Sequence, residues 1–380
     1  MKIFFEKINR SILLARCILT FIFRGKANMV IFSPSSIIVV LTGKLGDIVC
    51  CTPVLRAIRK NLPNTRIIVA GTPNLVRPIL ADSGLADDYI KLEERGVIRR
   101  IKNYNADAAL ITGPSFTPAA LLYVSGIKLV VAPKVVGGFS PSETRPYKIL
   151  QYLIKTFPYR MGEYAPRERL KALEPLGIFE DDTTKKLVYS RDAEKRIKEL
   201  FSEQEITKND FLVGISPSAG NKIKEWPTER FAEVADYLTK KYKAKVFIVG
   251  GNNDYELAEK MKSSMRTKTI DTTGMRIDEL KAFISRLNLF IAVDTGPIYI
   301  AEAFGVPTID IVGPMDEREQ PPVGRFHKVV KPDRKKPELH ILNARVYNEK
   351  EALRQIFSIS TQNVLKEVDK FMQDIVSISI

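Results

Sequence analysis

From residue 37 onward, short β-branched runs alternate with longer stretches of helical periodicity, which confines the chain to parallel sheets flanked by helices. Apolar runs read as strands at residues 37–41, 66–70, 108–111 and 128–131, with a helix over 47–61 between the first two. Residues 132–186 are punctuated by Pro and Gly, from Pro133, Gly137 and Gly138 to Pro166 and Pro175, and carry a helical stretch near 167–176. The pattern then restarts. Strands at 211–216, 245–249, 289–293 and 308–312 alternate with helices at 228–242, 254–265, 277–286 and 297–304. Two doubly wound α/β domains of similar size fit this restart better than one large sheet, and a length of 380 residues agrees. Residues 314–348, rich in Pro, Lys and Arg, read as a surface loop, and an amphipathic helix over 361–372 closes the chain.

Charge divides the chain unevenly. Residues 1–170 hold 25 Lys and Arg against 11 Asp and Glu, whereas residues 171–380 hold 34 against 33. An excess confined to the first half suits an anionic partner such as phosphate-bearing lipid, nucleic acid or a phosphorylated glycan, or else a generally basic surface kept for solubility. No nucleic-acid recognition motif accompanies it, so no nucleic-acid partner is expected. Cys17, Cys50 and Cys51 form no CxxC pair and no disulfide framework, which suits a reducing, cytoplasmic compartment.

Residues 11–23 are strongly apolar but interrupted by Arg16, and they are shorter than the roughly twenty residues a membrane span needs. No small-residue cleavage site follows, as a signal peptide would require; Arg24 and Lys26 come next. With six Lys and Arg and one acid in residues 1–30, the segment suits either an interfacial helix on an anionic leaflet or a helix packed on the protein's own surface.

Three turns can carry chemistry. Leu41-Thr-Gly-Lys-Leu-Gly-Asp47 joins the first strand to the first helix, where Gly43, Lys44 and Gly46 let a ligand approach the backbone. It is neither GxGxxG nor GxxxxGK[ST], which weakens dehydrogenase and NTPase readings. Asp47 is either a helix cap or, at the carboxyl edge of the sheet, a general base. In Ser216-Pro-Ser-Ala-Gly-Asn-Lys-Ile-Lys-Glu-Trp-Pro227, Ser216, Ser218 and the backbone at Gly220 offer hydrogen bonds while Lys222 and Lys224 add charge, so a diphosphate fits. Trp226 reads as core packing and Pro227 as the first residue of a helix. In the third turn, Asp294-Thr295-Gly296-Pro297 ends a strand and opens a helix whose first N–H groups would face an anion. No D-x-D spacing occurs, and His327 and His340 lie in the basic loop without acidic neighbours at ligand spacing, so neither metal nor other cofactor is expected.

Taken together, VLTGKLGDIVCCTPVLRAIRKNLPNTRI, ISPSAGNKIKEWPTERFAEVADYL, VFIVGGNNDYELAEKM and AVDTGPIYIAEAFGVPTIDIVGP resemble, in order, the blocks of glycosyltransferase family 9, the ADP-heptose:lipopolysaccharide heptosyltransferases and their relatives. The resemblance implies a GT-B fold: an acceptor-side Rossmann-like domain over 34–186 after the basic segment 1–33, a facing donor domain over 187–355, and a helix over 356–380 crossing back to the first domain. It implies inverting transfer of a heptose or related sugar from a nucleotide diphosphate sugar, ADP-linked, to a lipopolysaccharide core or other anionic surface glycan at the inner face of the cytoplasmic membrane. Asp47 would be the base, Lys224 would hold the donor diphosphate, and Asp294, Thr295 and Gly296 would surround the same phosphates. The chain departs from the family in carrying Tyr299 where His is common, and in having no cysteine in residues 316–360. The Tyr299 departure motivates an alternative, a catalytically silent nucleotide-sugar-binding scaffold, and another enzyme on the same fold, such as a nucleotide-sugar epimerase, is a third reading.

Overall fold

The computed structural model describes residues 2–378 and divides into two compact units, residues 1–186 with 342–345, and residues 187–341 with 346–380. In the first unit, β1 (Ser36–Val40), β2 (Arg66–Ala70), β3 (Asp88–Ile90), β4 (Ala108–Ile111), β5 (Leu129–Val136) and β6 (Lys155–Arg160) form a parallel sheet in the order β3-β2-β1-β4-β5-β6. In the second, β7 (Leu212–Ser216), β8 (Lys245–Ile248), β9 (Ile270–Asp271), β10 (Leu289–Val293), β11 (Thr308–Ile311) and β12 (His327–Val330) run β12-β11-β10-β7-β8-β9. Counted from each unit's own first strand, both orders are the same doubly wound pattern. The order reverses between β1 and β4 in one unit and between β7 and β10 in the other, and the crevice beyond those strand ends is where such sheets bind ligands.

The central strands form because their side chains are apolar on both faces, as a parallel sheet covered by helices demands. Every residue of β1, β7 and β10 is buried. The registers Val40↔Ile111 and Ala292↔Ser216 set the strand ends at each reversal side by side.

Several expectations change. The helix expected over 47–61 is two, Leu45–Val49 and Thr52–Asn61. Pro53 has no N–H to give to the Val49 carbonyl, which instead accepts the Thr52 hydroxyl at 2.8 Å. Residues 314–348 are not wholly irregular, because β12 extends the second sheet by pairing with β11. Pro227 sits at the N-cap of helix Thr228–Tyr242, one position before the expected one. Trp226 is core as expected, edge-on to Phe231 with its ring N–H donating to the Ile359 carbonyl at 2.9 Å. The last helix, Thr361–Ile378, was expected to cross to the first unit; instead its apolar stripe of Val364, Val368 and Phe371 lies in the second unit's core, while residues 342–345 group with the first unit.

Candidate active site

In the first unit, the turn after β1 carries Asp47 at the third position of helix Leu45–Val49. One carboxylate oxygen accepts the Lys44 backbone N–H at 3.0 Å, closing the turn as a cap; the other accepts an Arg169 guanidinium N–H at 3.0 Å. Both sequence readings of Asp47 are therefore compatible in geometry. Arg169 is buried, with 4% of its side chain exposed, while Asp47 keeps 26%. Burial works against the Arg169 charge, but Cys51, Tyr159 and Asp47 around it more than offset this and hold its pKa above the ordinary value. The guanidinium fixes the orientation of the Asp47 carboxylate, and each carboxylate oxygen retains a further lone pair.

Gly43 is required by this turn. Its φ is +104°, a conformation that side chains disfavour, and a Cβ there would lie 2.2 Å from an Asp47 carboxylate oxygen. Gly46 is buried on the short helix, and Lys44 is its N-cap. Arg169 is the partner that sequence reasoning missed. It lies 122 positions from Asp47, in a stretch whose only legible signal is helical periodicity.

In the second unit, the turns after β7 and β10 converge. Lys224, ending the short 3-10 turn Lys222–Lys224, donates to an Asp294 carboxylate oxygen at 2.9 Å and to the Asp294 backbone carbonyl. The other Asp294 oxygen accepts the Tyr299 hydroxyl. The Asp294 carboxylate thus fixes the lysine in place, and Tyr299 fixes the carboxylate. Thr295 is the N-cap of helix Gly296–Ala303, and its hydroxyl makes no cap bond. The expected set of N–H groups is reduced here: Pro297 has none, and that of Ile298 is taken by the Thr295 carbonyl.

The serines divide. Ser216 is buried at the end of β7, while Ser218 donates its hydroxyl to Asp254 at 2.9 Å, on the far side of the loop that also ties Asp254 to the Gly251 N–H at 2.7 Å. Gly220 lies in the same loop, just before the 3-10 turn. A second residue that the sequence left without a role is Asp310 on β11, paired in register with Ala292. It is 1% exposed, and its Oδ1 has no hydrogen-bond partner. Burial, and then the neighbouring Asp294 charge, push its carboxyl well above the usual carboxylate range.

The histidines depart from expectation. His327 lies on β12, its Nδ1 2.9 Å from the Thr308 hydroxyl. His340 does have acidic neighbours: its Nδ1 is 3.1 Å from Glu319 and 3.6 Å from Asp316. Its hydrogen bond to Glu319 raises its pKa. The loop folds back on itself, which sequence spacing alone does not reveal. Among the described residues these three are the one group spaced to hold a cation, yet Arg318 already pairs with Asp316 through two N–H groups, and Glu319 accepts the Ile341 N–H.

Two doubly wound units, one presenting a carboxylate and the other a lysine at its sheet reversal, define the chain's class as an α/β protein of GT-B type. Solved structures agree. The chain is similar to a family 9 glycosyl transferase from Veillonella parvula (TM-score 0.72, 21% identity, covering 90% of this chain and 98% of that one). It is also similar to an E. coli structure described as ADP-heptose lps heptosyltransferase II (TM-score 0.70, 16% identity, covering 89% and 99%). A curated relative, lipopolysaccharide heptosyltransferase 3 of Escherichia coli K12, is 24% identical over 281 residues, 71% of this chain and 80% of that one. The model of glycosyltransferase family 9 (heptosyltransferase) matches residues 95–345, which include both second-unit turns and begin after the Asp47 loop. The chain belongs to this family and is a glycosyltransferase.

Proposed function

We propose that the chain transfers a heptose or related sugar, with inversion, from an ADP-linked donor to a lipopolysaccharide-core or other surface-glycan acceptor, at the inner face of the cytoplasmic membrane and without a required metal. The observation that carries this reading is the partly exposed Asp47 carboxylate, held in place by buried Arg169 at 3.0 Å at the carboxyl edge of the first sheet. The acceptor hydroxyl oxygen attacks the anomeric carbon while Asp47 takes its proton; the bond from that carbon to the diphosphate oxygen breaks, and the nucleotide leaves with the electron pair. A positioned carboxylate is worth roughly 10²–10⁴-fold in such a step. Lys224, with Thr295 and Gly296 beside it, meets the charge that develops on the departing diphosphate. Gly43, Lys44 and Gly46 border the acceptor side, and Ser216, Ser218, Gly220 and Pro297 shape the donor loops. The names of two relatives support the choice of sugar and nucleotide: one is called a lipopolysaccharide heptosyltransferase and another an ADP-heptose lps heptosyltransferase.

Calorimetric titration with ADP, UDP, GDP and CDP in the presence of a chelator tests the donor side. Selective binding of ADP is expected; preference for another base would replace the donor, and binding only after a divalent cation is restored would remove the metal-free claim.

A further inference from the structure

Over residues 10–24, helix Lys2–Arg24 is apolar on two opposite faces, and only one of them is covered. Leu13, Leu14 and Cys17 pack into the first unit's core, and the helix rests on helices Phe116–Val124 and Arg145–Leu150. Burial pushes the Cys17 thiol up to about 12, so that side chain is inert packing. The end of the helix is fastened: Arg24 donates to the Gly126 carbonyl at 2.6 Å, and the Tyr123 hydroxyl donates to the Gly25 carbonyl at 2.7 Å. The orientation of the other face is therefore set by the fold.

That other face carries Ile12, Leu19, Ile22 and Phe23 at spacings of seven, three and one, which gathers them on the side opposite Cys17. Ile22 is 69% exposed and Phe23 78%. Exposed apolar side chains continue just after the helix at Met29 and Val30. A helix apolar all round belongs in a core or against lipid, and a contiguous exposed apolar face marks an interaction site. No described helix is long and apolar enough to cross a membrane.

Charge selects the occupant. Between Glu6 and Asp47 the chain has no acid; exposed Arg16, three residues before Leu19, borders the outward face, exposed Lys26 follows the helix, and Arg10 and Arg24, seven residues either side of Cys17, add charge from the packed side. A second copy of this basic segment would bring like charge, whereas an anionic bilayer supplies both a continuous apolar phase and negative headgroups. We propose that the outward face of helix Lys2–Arg24 docks this enzyme in the interface of an anionic membrane, lying along the surface while its inner face stays packed on the first unit. The inference deepens the proposed function and rests on its membrane-carried acceptor.

Flotation of the full chain with phosphatidylcholine vesicles, with and without about 30% phosphatidylglycerol, tests it. Binding should be at least about tenfold stronger with the anionic lipid and should weaken with salt. Leu19→Gln with Ile22→Gln and Phe23→Gln should lower it by about tenfold or more, because the apolar term is lost. The thermal midpoint should hold, since these side chains are exposed. Should that triple variant fold poorly, Arg10→Gln with Arg16→Gln and Lys26→Gln should abolish the preference for anionic lipid while leaving the helix packed. Equal flotation of wild type and both variants overturns the proposal, as does a lipid-independent dimer that the triple variant dissolves. ADP binding on the same samples keeps the readings apart: lost flotation with intact ADP binding removes the docking surface alone, and intact flotation without ADP binding supports docking while removing the donor reading.

Discussion

The two units share a strand order but invert the charge at its reversal. Beyond β1 the chain presents a carboxylate and pins it with a buried arginine; beyond β7 and β10 it presents a lysine and pins it with a carboxylate that a tyrosine holds in turn. In each unit the group offered to a ligand is flexible or strongly hydrated when alone, and an oppositely charged partner removes that freedom. The same topology therefore carries opposite charges at its reversal, and the loop residues set the sign; in the proposed reaction these would serve proton acceptance in one unit and anion neutralisation in the other.

The comparison breaks most sharply at Asp47. Asp47→Asn keeps the shape and the Arg169 contact but cannot accept a proton, so turnover should fall roughly 10²–10⁴-fold while calorimetric ADP affinity stays unchanged; a parallel loss of both would show that the two units do not divide the work. Lys224→Ala should act the other way. A charge-assisted contact to a phosphate contributes about 1.5–3 kcal/mol, so ADP affinity should weaken roughly 10–100-fold in the same titration.

Gly43→Ala asks whether the first unit needs its carboxylate fixed in position. The new methyl would meet an Asp47 oxygen at 2.2 Å in a backbone with φ +104°, so turnover should drop by about tenfold or more with ADP affinity retained, and the thermal midpoint should fall by a few degrees. An active, stable Gly43→Ala enzyme would mean that Asp47 moves freely.

The smallest effect should come from Asp310→Asn, which imitates the neutral acid. Because the folded carboxyl titrates well above the usual range, the unfolded chain releases a proton that the folded chain keeps. Stability should therefore fall as pH rises from the ordinary carboxylate range toward the raised value, with a slope of up to about 1.4 kcal/mol per pH unit. Urea unfolding at several pH values should show that slope in the wild type and its loss in Asp310→Asn, while ADP affinity changes little. A variant that loses ADP affinity would make Asp310 a charged participant in the second cluster.

The central strands were legible because a strand buried on both faces reads as an unbroken apolar run. The sheet margins were not. β3 has three residues, and β6 reads Lys-Thr-Phe-Pro-Tyr-Arg, with a Pro158 that only an edge position tolerates. β5 hides its length for a related reason: it pairs with β4 only over 129–131, so Pro133 sits where that side has no ladder to break. At the site, Asp47, Lys224 and Asp294 stood out by their turns, but the pairings did not. Asp47–Arg169 and Lys224–Asp294 join residues 122 and 70 positions apart, and no local pattern encodes such a meeting. His340 was misread for the same reason.

The bond between Asp47 and Arg169 also orders events during synthesis. Asp47 leaves the ribosome early, before β2 through β6, whereas its guanidinium partner arrives only after β6 has been made. Until then the turn has its Lys44 cap but not its cation, so the Asp47 cluster is completed last, by the end of the unit rather than by the strand that bears it. A prematurely terminated chain would carry the Asp47 carboxylate without the clamp that aims it.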